Sequence, residues 1–284
     1  MFGKKKHRKK RNSLPETKTV QKNMSLKITL DDATILSFGN AQHQGKRPYQ
    51  EDSFGFSSLD NKELLNSKGV LAVLADGMGG LSNGKAVSST VVSSMLEYFN
   101  NPDTVCQSSQ QLLWLTERIN EEVCRKFCPD GQIQAGSTVV SALVHKGFLH
   151  WLCVGDSRIY LKRKDMLYQL NEDHDYLNSL LEDAFRGRTS YEDAFCDPQK
   201  DVLVSCIGNS ELPEADYSIN GLELEKGDVI ALCSDGIYNA ITKETFKELL
   251  SDDAQASAQR IEKEVLRQNF QNQDNLTIIV ISVN

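Results

Sequence analysis

The chain has no long apolar run. Of its 284 residues, 39% are apolar and 25% are charged, which is the balance of an ordinary soluble globular protein. The longest purely apolar segments, such as Val70–Ala75, are far shorter than the roughly 18 residues that a membrane-spanning helix needs. The sequence therefore predicts no transmembrane segment, and it is long enough for one large domain with a continuous core.

Paired cysteines are also absent. The seven cysteines are an odd number, include no CxxC pair and mostly lie within apolar stretches. This pattern indicates buried, reduced thiols rather than a disulfide framework, and it predicts a cytoplasmic location. Cys124 and Cys128 are four positions apart on a predicted helix, but no histidine or further cysteine follows at ligand spacing. Core packing is therefore favoured over a metal site for this pair.

Acidic residues are missing from the first eleven positions, which hold seven lysines and arginines. The whole chain has a formal net charge of −7, so the residues after this basic head are more acidic still. An acidic body argues against nucleic acid as a partner, because phosphate backbones require a basic face on the domain. Residues 1–25 are expected to form a basic, disordered tail that stays solvated or touches an anionic surface. The folded domain is expected to span residues 26–284.

Helical and strand patterns alternate along that domain. Apolar residues at helical spacing predict helices over 86–99, 112–127, 241–250 and 254–267, the first two forming a hairpin. Strands are predicted over 69–75, 217–224, 228–234, 276–283 and in four short segments between 137 and 170. The turns between those four segments are short, so each segment is expected to pair antiparallel with the next.

Such an alternation predicts an α+β fold, with sheets layered inside and helices outside. Residues 171–206 are weakly patterned and are expected to form a helix-containing, flap-like insertion. Arg186 and Arg188 in this insertion are expected to face solvent, with a contact to a ligand as the alternative.

Four aspartates stand where apolar strands stop or start: Asp76, Asp156, Asp235 and Asp274. Carboxylates gathered at strand ends form the all-oxygen sites that small divalent cations prefer. Asp235 follows its strand and Asp274 precedes its own, so antiparallel pairing would bring the two to one sheet edge, where Asp76 can join them. Taken singly, an Asp-Gly pair is more often a plain turn, as expected for Asp130-Gly131.

A fifth segment, GKRPYQEDSFGF, adds Arg47, Glu51 and Asp52 to these aspartates. An arginine close to metal-binding carboxylates indicates a phosphate ligand, because a guanidinium and hard cations both bind phosphate oxygens. Arg47 taken alone would be a surface residue paired with Glu51.

Six segments in chain order resemble the metal-dependent PPM-type protein serine/threonine phosphatases, also called the protein phosphatase 2C family, with a methionine at 78 that resembles the bacterial branch. The segments are Gly45-Lys-Arg47-Pro-Tyr-Gln-Glu51-Asp52, Ala75-Asp76-Gly77-Met-Gly79-Gly80, Ala135-Gly136-Ser137-Thr138, Val154-Gly155-Asp156-Ser157-Arg158, Ser234-Asp235-Gly236-Ile237 and Asp274-Asn275-Leu-Thr277.

The resemblance implies a four-layer α-β-β-α sandwich, in which two antiparallel sheets are flanked by antiparallel helix pairs. It also implies two Mn²⁺ or Mg²⁺ ions and a metal-activated water that dephosphorylates phosphoserine and phosphothreonine in proteins, opposing a serine/threonine kinase. We expect a monomer whose partners are phosphorylated protein substrates and that kinase.

Roles for individual residues follow from the same resemblance. Asp76 would bridge both ions, and Asp235 and Asp274 would complete one of them. The Gly77 carbonyl, with Glu51 or Asp52, would serve the other ion. Arg47 would hold the substrate phosphate, which makes Arg47 and Asp76 the catalytic candidates.

Some positions depart from the family pattern. Family members often have histidine where Met78 or Leu81 stands, so this loop supplies no general acid. His43 and His174 are alternatives, but a surface or capping role is favoured for both, and a metal-bound water would protonate the leaving group. Asn239 replaces an aspartate that helps to hold a third ion in some members, which weakens a possible third site at Asp156 and Asp235. Ser137 and Thr138 are expected to begin a strand and not to act as nucleophiles.

Three functions are consistent with these residues. The leading hypothesis is a protein serine/threonine phosphatase. A pseudophosphatase that binds phosphoproteins or a kinase without turnover is the alternative from another class, motivated by Met78 and Asn239. The third is a hydrolase of small phosphate esters.

Overall fold

The computed structural model describes residues 26–29, 35–79, 83–128, 135–212 and 214–284. The strands there are β1 (Leu26–Thr29), β2 (Ile35–His43), β3 (Ser53–Phe56), β4 (Val70–Ala75), β5 (Gly77–Met78), β6 (Gly136–Ser137), β7 (Val139–His145), β8 (Phe148–Val154), β9 (Arg158–Arg163), β10 (Met166–Gln169), β11 (Asp216–Tyr217), β12 (Leu222–Glu223), β13 (Val229–Cys233) and β14 (Leu276–Val283). The helices are α1 (Lys62–Lys68), α2 (Asn83–Asn100), α3 (Ser109–Phe127), α4 (Tyr176–Phe185), α5 (Tyr191–Cys196), α6 (Asp235–Tyr238), α7 (Lys243–Leu249) and α8 (Ala254–Gln268).

Two antiparallel sheets form the middle of the molecule. The first has the strand order β1-β2-β14-β13-β9-β10, and the second has the order β11-β8-β7-β4-β3, with β12 also paired to β8. The short strands β5 and β6 form a separate ribbon. In the first sheet β13 lies between β14 and β9, so its carboxyl end faces the start of β14.

Three apolar clusters hold the layers together. Between the sheets, Leu74 of the second sheet and Ile279 of the first are fully buried in one cluster. Met95 on α2 belongs to a second cluster, which joins α2 and α3 to the second sheet. Ile261 on α8 belongs to the third, which joins α7 and α8 to the first sheet. The resulting order of layers, helix, sheet, sheet, helix, confirms the predicted α-β-β-α sandwich.

Most predicted elements are confirmed. The four predicted helices are α2, α3, α7 and α8, and α2 packs against α3 as expected. The short helix α1 was not predicted; Asn61 caps it by accepting bonds from the backbone N–H groups of Glu63 and Leu64. The strand predicted over 217–224 was wrong, since only the two-residue strands β11 and β12 form there.

One pairing prediction was also wrong. The hairpins β7–β8 and β9–β10 form as expected, but β8 and β9 belong to different sheets. The chain crosses between the sheets at Gly155, Asp156 and Ser157. Gly155 has a φ of +98°, and a Cβ on it would lie 2.7 Å from a side-chain carbon of Thr138, so only glycine fits this corner. The crossing places Asp156 at the edge where both sheets end.

Some predictions lie outside the described residues, namely the basic tail 1–25, Gly80, Leu81 and the Asp130-Gly131 turn. The division into a tail and a domain therefore stays a prediction. Helices α4 and α5 lie within the 171–206 insertion. In the part of the chain that the structure describes, no helix has both the length and the apolar composition to cross a membrane.

All seven cysteines are free, as predicted, and five of them are buried. Burial raises the pKa of Cys106 and of Cys233 to about 12, so these thiols stay protonated and unreactive near neutral pH.

A buried lysine at the end of α1 closes the carboxyl end of α2. The Nζ of Lys68 donates to the carbonyl oxygens of Phe99 (3.0 Å) and Asn101 (2.5 Å) and to the hydroxyl of Thr104 (3.0 Å). We expect Lys68→Met to lower the free energy of unfolding by about 1–3 kcal/mol, because the buried carbonyl of Phe99 and the partly buried carbonyl of Asn101 lose this donor. Urea unfolding measures the change. Lys62→Met, at the exposed start of the same helix, is the matched control, and an equal effect of the two substitutions would contradict this role.

Candidate metal centre

The antiparallel pair β13–β14 brings two aspartates to one edge of the first sheet. Cys233, the last residue of β13, pairs with Ile278 near the start of β14. Asp235 opens α6 directly after β13, and Asp274 lies two positions before β14. The structure therefore places Asp235 and Asp274 at the same end of neighbouring strands.

Asp76 reaches this edge from the second sheet, at the end of β4. Its backbone N–H donates to the hydroxyl of Thr138 (3.0 Å), and its carbonyl accepts from the N–H of Thr138 (2.8 Å) and the hydroxyl of Ser137 (2.9 Å). Ser137 lies in β6, next to Thr138, so both residues fix the backbone of Asp76. Sequence reasoning missed this supporting role, although the Gly-Ser-Thr segment was among the family-like blocks.

Asp52 is fully buried beside the first sheet. Its Oδ2 accepts hydrogen bonds from the hydroxyls of Ser234 (2.9 Å), which follows β13, and Thr277 (2.6 Å), which lies in β14. Burial raises the pKa of Asp52 to about 6. Asp52 thus ties the segment that follows Arg47 to the edge where Asp235 and Asp274 lie.

Repulsion between the acidic side chains contributes to their raised pKa values. The pKa of Asp76 is raised well above its ordinary value, first by burial and then by the charges of Asp52, Asp235, Asp156 and Asp274. Burial and the neighbouring aspartates raise the pKa of Asp235 to about 7, and burial raises that of Asp156 to about 6. Buried carboxylates that repel one another are costly unless cations compensate their charge.

Three buried carboxylate oxygens in the described residues have no hydrogen-bond partner: Glu51 Oε1, Asp52 Oδ1 and Asp235 Oδ1. Buried polar atoms are almost always paired, so orphaned acceptors in an acidic cluster are what a cation site would leave. A donor set made only of oxygen atoms suits Mn²⁺ or Mg²⁺. The acidic side chains do not themselves close around a common point, since none of the described residues form a ready group of three or more ligands. The suitability of this cluster for Mn²⁺ or Mg²⁺ therefore rests on the oxygens without hydrogen-bond partners and on the oxygen-only set of donors.

Gly77 directly follows Asp76 and is packed tightly against the Glu51 segment. A Cβ on Gly77 would lie 2.3 Å from the carbonyl oxygen of Gly84 and 2.7 Å from that of Glu51, so no larger residue fits. This close approach brings the backbone at Gly77 beside Glu51, the two groups that the sequence assigned to one ion.

Arg47 lies at the exposed rim of the acidic cluster. Its Nη2 is 2.6 Å from Oδ2 of Asp274, and 57% of the Arg47 side chain remains accessible to solvent. The loop that carries Arg47 is held by Asn275, whose Nδ2 donates to the carbonyls of Gln44 (2.8 Å) and Tyr49 (2.9 Å). Arg47 is therefore held at the cluster by Asp274, with more than half of its side chain accessible to a ligand.

A stacked arginine and tyrosine adjoin Asp156. The guanidinium of Arg158 lies 3.5 Å from the ring centre of Tyr238 and is paired with Asp173 through Nη2 at 2.6 Å. A hydrogen bond from Tyr238 is among the influences that lower the pKa of Asp156 against the larger effect of burial. Asn239 follows Tyr238 as the C-cap of α6. Sequence reasoning did not single out Tyr238, because an isolated tyrosine on a four-residue helix gives no signal.

The two histidines considered as general acids both accept hydrogen bonds from the backbone. Nδ1 of His174 accepts from the N–H of Gly155 (3.0 Å), and burial lowers the pKa of His174, which favours the neutral ring. Nδ1 of His43 accepts from the N–H of Gly45 (2.9 Å). These contacts agree with the capping role that the sequence favoured. In the insertion, Arg186 pairs with Glu182 and Arg188 with Asp183 on the exposed surface.

Residues 40–271 match the family model described as protein phosphatase 2C, which is most of the chain. The chain belongs to the protein phosphatase 2C family. Among its curated relatives, the serine/threonine phosphatase stp of Listeria innocua is 26% identical over 242 residues, which are 84% of this chain and 92% of that protein. The relatives of this phosphatase are thus named as enzymes that act on phosphorylated serine and threonine.

Solved structures of similar proteins share the fold. The serine/threonine phosphatase PstP/Ppp of Mycobacterium tuberculosis has a TM-score of 0.71 and 26% identity, and the match covers 87% of this chain and 98% of that one. A PstP catalytic domain in complex with two manganese ions has a TM-score of 0.70 and 25% identity, covering 88% of this phosphatase and 99% of that chain.

The raised pKa values predict how the stability of the metal-free phosphatase depends on pH. Asp235 has an ordinary pKa of 3.8 and a folded pKa of about 7, so its contribution to stability is fully present below pH 3.8 and is lost as the pH rises through 7. Between pH 5.5 and 8 with chelator present, the free energy of unfolding of the wild type should fall by about 2 kcal/mol more than that of Asp235→Asn. Urea unfolding of both proteins at the two pH values measures it. Parallel pH dependences would contradict the prediction.

Proposed function

We propose that this phosphatase hydrolyses phosphoserine and phosphothreonine in proteins at the cluster of Asp76, Asp235 and Asp274, with two Mn²⁺ or Mg²⁺ ions as cofactors. The observation that carries the proposal is the burial of mutually repelling carboxylates with orphaned oxygens at one edge of the sandwich. PstP, which is similar in sequence and fold, is named as binding two manganese ions, and this supports the same cofactor here.

Asp76, Asp235 and Asp274 would hold the ions, with the Gly77 carbonyl and Glu51 or Asp52 serving one of them. When bound, such ions supply an activated water and offset the negative charge on the transferring phosphoryl group. Asp156 together with Asp235 would be the place for a third ion, with Tyr238 close to Asp156.

The protein's own residues bind and orient the substrate. Arg47 would hold the phosphate, because its guanidinium already points at Asp274 and presents several donors to phosphate oxygens. Asp52 and Asn275 keep the Arg47 loop and the metal-binding edge in fixed register. A water held at the same site would protonate the leaving oxygen, since His43 and His174 are engaged as acceptors.

Metal removal tests the proposal. Purified protein should hydrolyse p-nitrophenyl phosphate and a phosphothreonine peptide with added Mn²⁺. Treatment with EDTA followed by desalting should lower the turnover at least 100-fold, and added Mn²⁺ should restore it. Calorimetric titration of the chelated protein with Mn²⁺ alone should show binding. Turnover that persists after chelation would contradict a metal-dependent site.

Assays of the same purified protein distinguish the proposal from two alternative functions. The named relatives give no support to a pseudophosphatase, and Mn²⁺-dependent turnover would exclude it. A hydrolase of small phosphate esters would act on free phosphoserine at least as well as on a folded phosphoprotein, whereas the proposal expects the phosphoprotein to have the higher kcat/KM. A serine/threonine kinase as the opposing enzyme, a cytoplasmic location and a monomeric state belong to the same proposal.

A further inference from the structure

A pocket of about 410 Å³ adjoins the acidic cluster at Asp235 and Asp274. Beyond Asp235 and Asp274, it is lined by Asn239 and Ala240 after α6 and by residues 270–273 before β14. The mechanism described above uses none of these additional residues.

The far wall of the pocket is held in place. Nε2 of Gln273 donates to the carbonyl of Gly236 (3.1 Å), and the carbonyl of Gln273 accepts from the N–H of Lys46 (2.8 Å). Nζ of Lys46 also donates to the side chain of Asn269 (3.0 Å), which ends α8 in a left-handed conformation. Because the segment is tied at both ends, the pocket exists before any substrate binds, and binding would cost little ordering.

The lining is neutral apart from the metal-site carboxylates. Among the described residues, no lysine or arginine lines this pocket, and bound cations would compensate the charges of Asp235 and Asp274. Lys46 and Arg47 line the adjoining pocket across 271–273, where Lys46 is engaged by Asn269 and Arg47 by Asp274. Asn239, Gln271 and Asn272 provide amide donors and acceptors that suit a peptide backbone. The ring of Phe270, with 46% of the residue exposed, offers an apolar surface.

We propose that this pocket, with Phe270 and Asn272 as specificity-determining residues, receives the residue next to the phosphorylated serine or threonine and prefers an uncharged apolar or aromatic side chain. The inference rests on the proposed function. Consecutive residues are about 3.8 Å apart at Cα, so a phosphoresidue at the carboxylates places its neighbour within reach of the pocket. The volume suits one side chain with its flanking backbone.

The test uses four phosphothreonine peptides, in which both residues beside the phosphothreonine are leucine, glycine, glutamate or lysine. With Mn²⁺ present, the wild-type phosphatase should show a KM for the leucine peptide about tenfold below that for the glycine peptide, and a higher KM again for the glutamate peptide. Phe270→Ala should bring the leucine-to-glycine ratio of KM values close to one. Asn272→Asp should lower KM for the lysine peptide at least fivefold relative to the leucine peptide.

Phe148→Ala is the matched control. Phe148 is 41% exposed, similar to Phe270, and it begins β8, at the opposite end of that strand from Asp156. Its replacement should leave the KM ratios of the wild type unchanged. Equal KM values for the leucine and glycine peptides in an active wild type would overturn the pocket inference alone. Equal changes of the leucine-to-glycine KM ratio in Phe270→Ala and Phe148→Ala would also overturn the pocket inference alone. Absence of hydrolysis of all four peptides and of p-nitrophenyl phosphate would overturn the proposed function as well.

Discussion

Asp76→Asn is expected to lower kcat/KM for a phosphothreonine peptide by at least about 1,000-fold, which corresponds to roughly 4 kcal/mol of transition-state stabilisation. The amide keeps the shape of the side chain but loses the charge that would hold both ions. Steady-state kinetics with saturating Mn²⁺ measures the loss, and calorimetry should show weaker Mn²⁺ binding.

A second readout separates loss of the metal site from misfolding. Partial burial and the charges of neighbouring carboxylates raise the pKa of Asp76, so removing its charge should make the metal-free protein more stable. Activity should therefore fall while the urea midpoint in chelator rises. Asp60→Asn, on the exposed turn before α1, is the control that should alter neither quantity. Retention of more than a tenth of the wild-type kcat/KM in Asp76→Asn would refute the assignment of Asp76.

Arg47→Ala is expected to raise the inhibition constant of inorganic phosphate and the KM for p-nitrophenyl phosphate about 30-fold, or about 2 kcal/mol. The physical reason is the loss of charge-assisted bonds to phosphate from an arginine whose side chain is 57% exposed and paired with Asp274. Arg47→Lys keeps the charge but loses the paired donors, so its effect should be intermediate.

The control for Arg47 is Arg125→Ala, which removes an exposed arginine from α3. Its phosphate inhibition should match that of the wild type. If Arg47→Ala also left phosphate inhibition unchanged and lowered only kcat, Arg47 would act by holding Asp274 rather than by binding substrate.

The sequence carried enough information to predict the layers of the fold. Regular spacing of apolar residues predicted the helices α2, α3, α7 and α8, and the mostly apolar segment 276–283 predicted β14 over the same residues. These elements are long and bury a whole face, so their local pattern and their tertiary environment agree. The short elements β11, β12 and α1 were misjudged or missed because tertiary pairing, rather than local pattern, sustains them.

The residues proposed for the site were all named from sequence, since acidic residues at strand ends have a recognisable position. The residues that support the site were not named from sequence, because Ser234 and Thr277, which donate to Asp52, come from distant segments. The same applies to Thr138, which fixes the backbone of Asp76, and to Tyr238, which stacks on Arg158. A hydroxyl or a ring has no periodic signature that reveals its long-range partner.

By itself, the sequence determined the family, the oxygen-only character of the acidic cluster and the alternation of helices and strands, because each depends on residue types at short spacing. Only the tertiary structure decided that the chain changes sheets at Gly155, that Asp52 is an anchor beneath the cluster and that a pocket opens beside Asp235. These features depend on which strand ends meet in space, and contacts between separate segments of the chain leave no local trace in the sequence.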